Sequence, residues 1–285
     1  MRPRVDVEPA LLEELRRLAI GAAVAAGDEL RRRQGHVTGL ATKTTATDPV
    51  SDADRAAEAL LTGRILAARP GDGLLGEEGA DRPSQTGLRW VLDPLDGTVN
   101  YLYGLPTWSV SVCCERADGP ADREAEAEGD GDGEDGRWRG LVGVVHDPVH
   151  GETFTAMRGH GAWLGRRPLR VNDPVPLDQA LVETGFAYEA GRRGRQAAMI
   201  ARVLPRIRDV RRAGSAALDL CNVAAGRADA FVEEELSRWD WAAGVLIARE
   251  AGAVVTPFGD GLVAAGPALH PELVAALEEA LDQAP

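Results

Sequence analysis

One stretch, Trp90-Val91-Leu92-Asp93-Pro94-Leu95-Asp96-Gly97-Thr98, constrains this chain more than any other. An apolar run of strand character meets an Asp-Pro and then an Asp-Gly, so a strand must end in a sharp turn that carries two carboxylates. Asp93 and Asp96 leave that strand end three residues apart and can face one point, with the Leu95 carbonyl between them. These are hard oxygen donors of the kind that suits magnesium. Gly97 and Thr98 would present backbone N–H groups to a phosphate if a helix or turn begins there. A plain surface turn is the competing reading, since Asp-Pro and Asp-Gly are common punctuation.

Two further acidic clusters sharpen the chemical reading. Gly76-Glu77-Glu78-Gly79 is a bracketed acidic pair in a loop, and Trp239-Asp240-Trp241 places an aspartate at a helix start, where an N-cap is the equally simple explanation. The case rests on their combination. The five histidines, His36, His146, His150, His160 and His270, lack HExxH or paired-ligand spacing and read as surface or turn residues. A zinc site is not expected. Cys113, Cys114 and Cys221 show no CxxC spacing and read as buried thiols of a reducing, cytoplasmic compartment.

With 44% hydrophobic and 27% charged residues, the 285-residue chain has the composition of a packed globular protein. One large unit and two tightly packed halves are both open at this length. No apolar run approaches membrane-spanning length, and no signal-peptide pattern opens the chain. The net charge of −13 argues against a nucleic-acid surface. Much of it is local. Residues 117–136 hold nine acidic residues and one arginine, leaving the remainder at −5. Such a segment buries too little to offset its ordering entropy, and 117–137 reads as a disordered insert between two paired strands.

The periodicity predicts an amphipathic helix over 8–33 and a second, capped by Ser51, through Ala68. Strands are expected near Leu88–Leu92 and Thr107–Glu115. Beyond Ala180, strands at 181–184, 228–232 and 253–256 alternate with helices near 191–204, 214–225 and 240–252, and a last helix covers PELVAALEEAL. That alternation implies mixed sheets covered by helices.

Across nearly its whole length the chain resembles the inositol monophosphatase family, part of the lithium-sensitive magnesium phosphatase superfamily. The resemblance is carried by KTTATDPVSDAD (43–54), LLGEEG (74–79), WVLDPLDGTVNYLYGLP (90–106), RRAGSAALDLCNVAAGRADAFVE (211–233) and WDWAAGVLIAREAGAVVT (239–256). It implies an α/β (α+β) fold of layered α-β-α-β-α type, in a single catalytic unit over 8–282 with subdomains of about 8–178 and 179–282. It implies two to three magnesium ions. Glu77, Asp93 and the Leu95 carbonyl would hold the first, Asp93, Asp96 and Asp240 the second, and the Glu77 side with waters a third. Asp54 matches the aspartate that helps Thr98 orient the attacking water, and Lys43 matches a basic residue of a mobile loop over the site.

The same resemblance places Asp96, Gly97, Thr98, Ser215, Ala216 and Glu233 against phosphate and ring hydroxyls, although Glu233 opens an acidic run that could simply be solvated. The activity implied is hydrolysis of a small polyol phosphate, inositol monophosphate first, by metal-activated water with Glu77 and Thr98 handling the proton. Related families take histidinol phosphate, 3′-phosphoadenosine nucleotides, fructose 1,6-bisphosphate or NADP. Val99, where nucleotide phosphatases usually carry a charged residue, favours the polyol. Some bacterial members act instead as partners of transcription complexes. A homodimer is expected, with no nucleic-acid or membrane contact.

Overall fold

The computed structural model describes residues 7–35, 41–42, 49–117 and 138–282. His36, Lys43 and 118–137 of the acidic insert lie outside these described residues. In chain order the elements are α1 (Pro9–Arg33), β1 (Ala41–Thr42), β2 (Pro49–Val50), α2 (Asp52–Ala68), β3 (Gly73–Gly76), β4 (Asp81–Arg82), β5 (Leu88–Asp96) and α3 (Thr98–Leu102). A run of strands follows: β6 (Ser109–Ala117), β7 (Trp138–Asp147), β8 (Glu152–Met157), β9 (Gly161–Leu164) and β10 (Arg167–Pro168). The remainder alternates: β11 (Leu181–Thr184), α4 (Ala190–Val203), β12 (Asp209–Arg211), α5 (Ala216–Ala224), β13 (Ala230–Glu233), α6 (Arg238–Glu250), β14 (Val254–Phe258), β15 (Gly261–Ala265) and α7 (Leu269–Asp282).

Two mixed sheets organise the molecule. The larger has eight strands in the order β10-β9-β8-β7-β6-β5-β3-β4, and the smaller five in the order β12-β11-β13-β15-β14. Helices α1 and α2 pack together on one face of the large sheet, where Leu12, Leu15, Leu30, Leu61 and Ile65 close over Trp90, Val110 and Val144. Helices α5 and α6 fill the space between the sheets, their Leu218, Leu220, Val245 and Ile247 packing with Val91, Val145 and Phe231. Helices α4 and α7 cover the outer face of the small sheet through Met199, Val203, Leu273 and Leu277. The layers therefore run α-β-α-β-α, the architecture that the motifs imply. Central strands buried on both faces, as in β5, β6 and β7, and one apolar stripe per outer helix produce it.

Several elements differ from the sequence reading. The β8–β9 hairpin and β15 were not anticipated, because ETFTAM, GAWL and GLVAA are short and carry few β-branched residues. His146 lies buried on β7, its Nδ1 placed 3.1 Å from the Glu152 carbonyl and 2.9 Å from the Thr153 hydroxyl. His270 is buried on α7, with Nε2 3.1 Å from Thr256 Oγ1. Neither occupies a surface turn, since burial of an imidazole requires only that its ring nitrogens find partners. The three cysteines are buried and free, and desolvation drives their thiols up.

The chain flanking the acidic insert pairs as expected, with Ala117 opposite Trp138 in the β6–β7 ladder. At the other side of the same ladder, β7 lies close beneath α6. A Cβ on Gly143 would stand 2.8 Å from the Ala243 carbonyl oxygen and 3.2 Å from its Cα, so only glycine lets α6 settle at this depth. Gly143→Ala is expected to destabilise the protein by about 1–3 kcal/mol, as overpacking against backbone does. A lower urea midpoint at unchanged m-value would show it.

Candidate active site

A β-bulge decides where the two aspartates of the turn point. On β5 Asp93 pairs with Ser111 of β6, and Asp96 pairs with Ser109, so three steps on one strand match two on the other. Residues three apart on a regular strand face opposite sides, and one extra residue restores them to the same side. Pro94 sits within that irregularity, where a missing N–H costs no ladder bond. Asp93 Oδ1 accepts the Leu95 N–H at 2.9 Å. The chain then turns through Gly97, whose φ of 94° lies in the left-handed region, into the short helix α3.

Neighbouring elements bring the other candidates to this strand end. Strand β3 runs parallel to β5 with Gly76 opposite Leu92, and the Glu77 N–H donates to the Leu92 carbonyl at 3.2 Å, which sets Glu77 beside Asp93. A Cβ on Gly76 would stand 2.3 Å from Glu58 Oε1 and 2.9 Å from the Ala80 Cβ, so it would displace the oxygen that accepts the Glu78 N–H at 3.0 Å. Asp240 stands at the third position of α6, where its Oδ2 accepts the Ser237 N–H at 2.6 Å. The N-cap is thus Ser237, with Asp240 its capping-box partner.

The start of α2 repeats the device. Asp54 Oδ2 accepts the Ser51 N–H at 3.0 Å and the Ser51 hydroxyl at 2.5 Å, while Asp54 Oδ1 faces Thr98 Oγ1 at 3.2 Å. Thr98 Oγ1 is also 3.0 Å from the Leu95 carbonyl, so its single proton has two acceptors to choose between. Asp54 and Thr98 are both buried.

Burial and mutual repulsion dominate the electrostatics. Asp93 titrates well above the usual carboxylate range, first from desolvation and then from the charges of Glu77, Asp96 and Asp240. Asp240 is raised in the same way by burial, Glu77 and Asp96. Asp96 reaches only about 6, because Ser215 and the Ala217 amide offset part of its desolvation. No cationic side chain figures among the principal influences on these three groups.

Among the described residues, no three Asp, Glu, His or Cys side chains gather their donor atoms into a finished metal site. The carboxylates turn instead to Leu95, Ser215, Ala217 and Ser237. The donor set nonetheless fits a hard divalent cation. Asp93, Asp96 and Asp240, all raised by burial and by neighbouring negative charge, form the arrangement that a cation relieves. Glu77, Asp93, Asp96, Asp240 and the Leu95 carbonyl are the groups that could hold it.

The substrate-side candidates converge on Asp96. Its Oδ2 accepts the Ser215 hydroxyl at 2.5 Å and the Ala217 N–H at 2.9 Å, which ties β5 to the start of α5 at Ala216. Glu233, the last residue of β13, is near enough for the Asp96 charge to help burial push it to about 8, with Arg212 opposing. Sequence reasoning did not single out Asn100, whose amide donates to the Thr107 carbonyl at 2.6 Å and the Ala213 carbonyl at 2.8 Å. It pins the 213–214 turn against Gly97, and its place inside DGTVN was the available signal. Ser109, 3.4 Å from Asp96 Oδ2, carried none.

Asp96 binds protons more tightly folded than unfolded, so its contribution to stability is full below about pH 4 and is lost as pH rises through about 6. Asp93 and Asp240 act in the same direction. Chelator-treated protein is therefore expected to lose stability from this cluster between pH 4 and 7.5, and Asp93→Asn to raise its urea midpoint at pH 7.5. An unchanged or lower midpoint in that variant would contradict this account of the cluster.

With that geometry in view, the comparisons are direct. The sequence profile of the inositol monophosphatase family matches residues 11–120 and 137–282. An inositol-1-monophosphatase of Mycobacterium leprae is 41% identical, covering 93% of this chain and 94% of that protein. A protein of Xylella fastidiosa named Nus factor SuhB is 38% identical, covering 85% and 81% respectively. The crystal structure of the extragenic suppressor protein suhB of Bartonella henselae superposes with a TM-score of 0.82 at 33% identity, covering 93% of this chain and 99% of that one. The chain belongs to the inositol monophosphatase family.

Proposed function

We propose that this protein is a magnesium-dependent phosphate monoesterase that acts on small polyol phosphates, with myo-inositol 1-phosphate the leading substrate. The observation that carries the proposal is the strand-end cluster of Glu77, Asp93, Asp96 and Asp240 with Thr98 and Asp54 beside it. The middle layer built by α5 and α6 supports treating 8–282 as one catalytic unit.

In this reading Glu77, Asp93 and the Leu95 carbonyl would hold one magnesium ion and Asp93, Asp96 and Asp240 a second, with Glu77 also the group nearest a third. Bound there, the ions would supply charge neutralisation and a lowered pKa for the attacking water. Thr98 Oγ1 donates its hydrogen bond to Asp54 Oδ1, which leaves its lone pairs to accept from that water and aim it. Asp54 Oδ1 is aimed at Thr98 because Ser51 holds the other oxygen of the same carboxyl. Glu77 receives the proton that the water releases. The amides of Gly97 and Thr98 face the phosphate, while Asp96, Ser215, Ala216 and Glu233 contact the hydroxyls of the leaving alcohol. No covalent phosphoenzyme is required.

A second reading has a specific support, the relatives named Nus factor SuhB. A binding partner of a transcription complex would have no need of a full carboxylate set, which favours the enzyme. Histidinol phosphate, 3′-phosphoadenosine 5′-phosphate, fructose 1,6-bisphosphate and NADP remain the competing substrates within it.

Phosphate release from that panel and from myo-inositol 1-phosphate, with and without magnesium, separates these readings. Inositol phosphate is expected to lead, to require magnesium and to fail with Asp93→Asn. A different leading substrate would overturn the specificity alone, and no turnover of any would favour the binding partner. Thr98→Ala is expected to lower kcat by about 10²-fold with KM little changed, as loss of a proton-handling group does.

A further inference from the structure

We propose that Gly185 is a positioning residue for substrate recognition: its missing side chain leaves the slot in which the Glu233 carboxyl lies. The inference rests on the reading of Glu233 as a contact to the alcohol half of the substrate. Strands β11 and β13 are parallel, with Val182 opposite Ala230, Glu183 opposite Phe231 and Thr184 opposite Val232. The next step of that register sets Gly185 beside Glu233. Both stand at the carboxyl ends of their strands, the end at which open α/β sheets gather their ligands.

A Cβ built on Gly185 would stand 1.8 Å from Glu233 Oε1, 2.0 Å from Cδ and 2.2 Å from Oε2. The carboxyl thus lies where any other residue would put its first side-chain atom. Backbone conformation does not account for the glycine, because Gly185 is not among the residues of positive φ. The obstruction also differs in kind from that at Gly261, where a Cβ would stand 1.9 Å from the Glu233 carbonyl oxygen, a backbone atom. At Gly185 only the end of a flexible side chain stands in the way. An alanine there leaves the fold intact and moves the carboxyl instead.

The slot fixes more than position. Gly185 is itself buried, and in this setting burial and the Asp96 charge push Glu233 to about 8. Exclusion from the slot turns the group toward solvent and away from Asp96.

The test measures kcat and KM for myo-inositol 1-phosphate and for p-nitrophenyl phosphate, which has no hydroxyls to recognise, in four forms of the full chain: the natural protein, Glu233→Gln, Gly185→Ala and Gly185→Ala with Glu233→Asp. Gly185→Ala is expected to raise KM for inositol phosphate by about tenfold, the scale of a lost hydrogen bond in a buried site, with kcat within about twofold. Turnover of p-nitrophenyl phosphate and the thermal midpoint should stay near those of the natural protein. Shortening the acid in Gly185→Ala/Glu233→Asp should recover most of the lost affinity. An unchanged KM in Gly185→Ala while Glu233→Gln raises it would overturn the slot, as would equal damage to both substrates with no recovery in the double variant. If Glu233→Gln itself leaves KM unchanged, it is the substrate-contact reading that fails, and the inference falls with it.

Discussion

Like charges resist being buried together, and this molecule buries several carboxyl groups at one strand end. Asp93, Asp96 and Asp240 each carry a desolvation cost increased by their neighbours. Such an arrangement persists only where the surrounding framework forces it. Here the framework is two sheets with a helical layer clamped between them, and the bulge at Pro94-Leu95 makes consecutive acids of one strand face the same layer. The packing of α6 against Gly143 brings the last aspartate to the same place.

Helix starts do double duty around this cluster. Ser51 with Asp54 and Ser237 with Asp240 share the spacing Ser-x-x-Asp, and each pair closes a capping box. In both boxes the aspartate satisfies the N-terminal amide while remaining within reach of the strand end. Ser215 caps α5 and donates to Asp96 at once. The functional groups are therefore held by the same bonds that begin the helices, which is why they are rigid without dedicated supports.

The layered architecture and most helices were legible in the sequence because their apolar periods are long and regular, as in α1 and α2. The acidic residues of the site were legible as types and motifs. Their arrangement was not. Nothing in DPLDG announces a bulge, and Asp240 reads equally as a cap until Ser237 is seen three residues earlier on the helix start. The short strands β8, β9 and β15 escaped notice because their character comes from pairing with neighbours distant in sequence. Gly185 escaped for a related reason. A glycine that exists to make room for a side chain 48 positions away leaves no local trace.

The β6–β7 hairpin separates two tasks along its length. Strand β6 begins at Ser109, beside Asp96, and its nine residues carry the chain about 27 Å before it reaches Ala117, where the acidic stretch departs. The family profile passes over residues 121–136 at that same point. Chain length added at the tip of a well-paired hairpin raises the closure entropy only logarithmically. The Ala117–Trp138 end of the ladder is thus a natural port, a place where a fluorophore or an affinity handle could be joined with the strand-end cluster a full strand away.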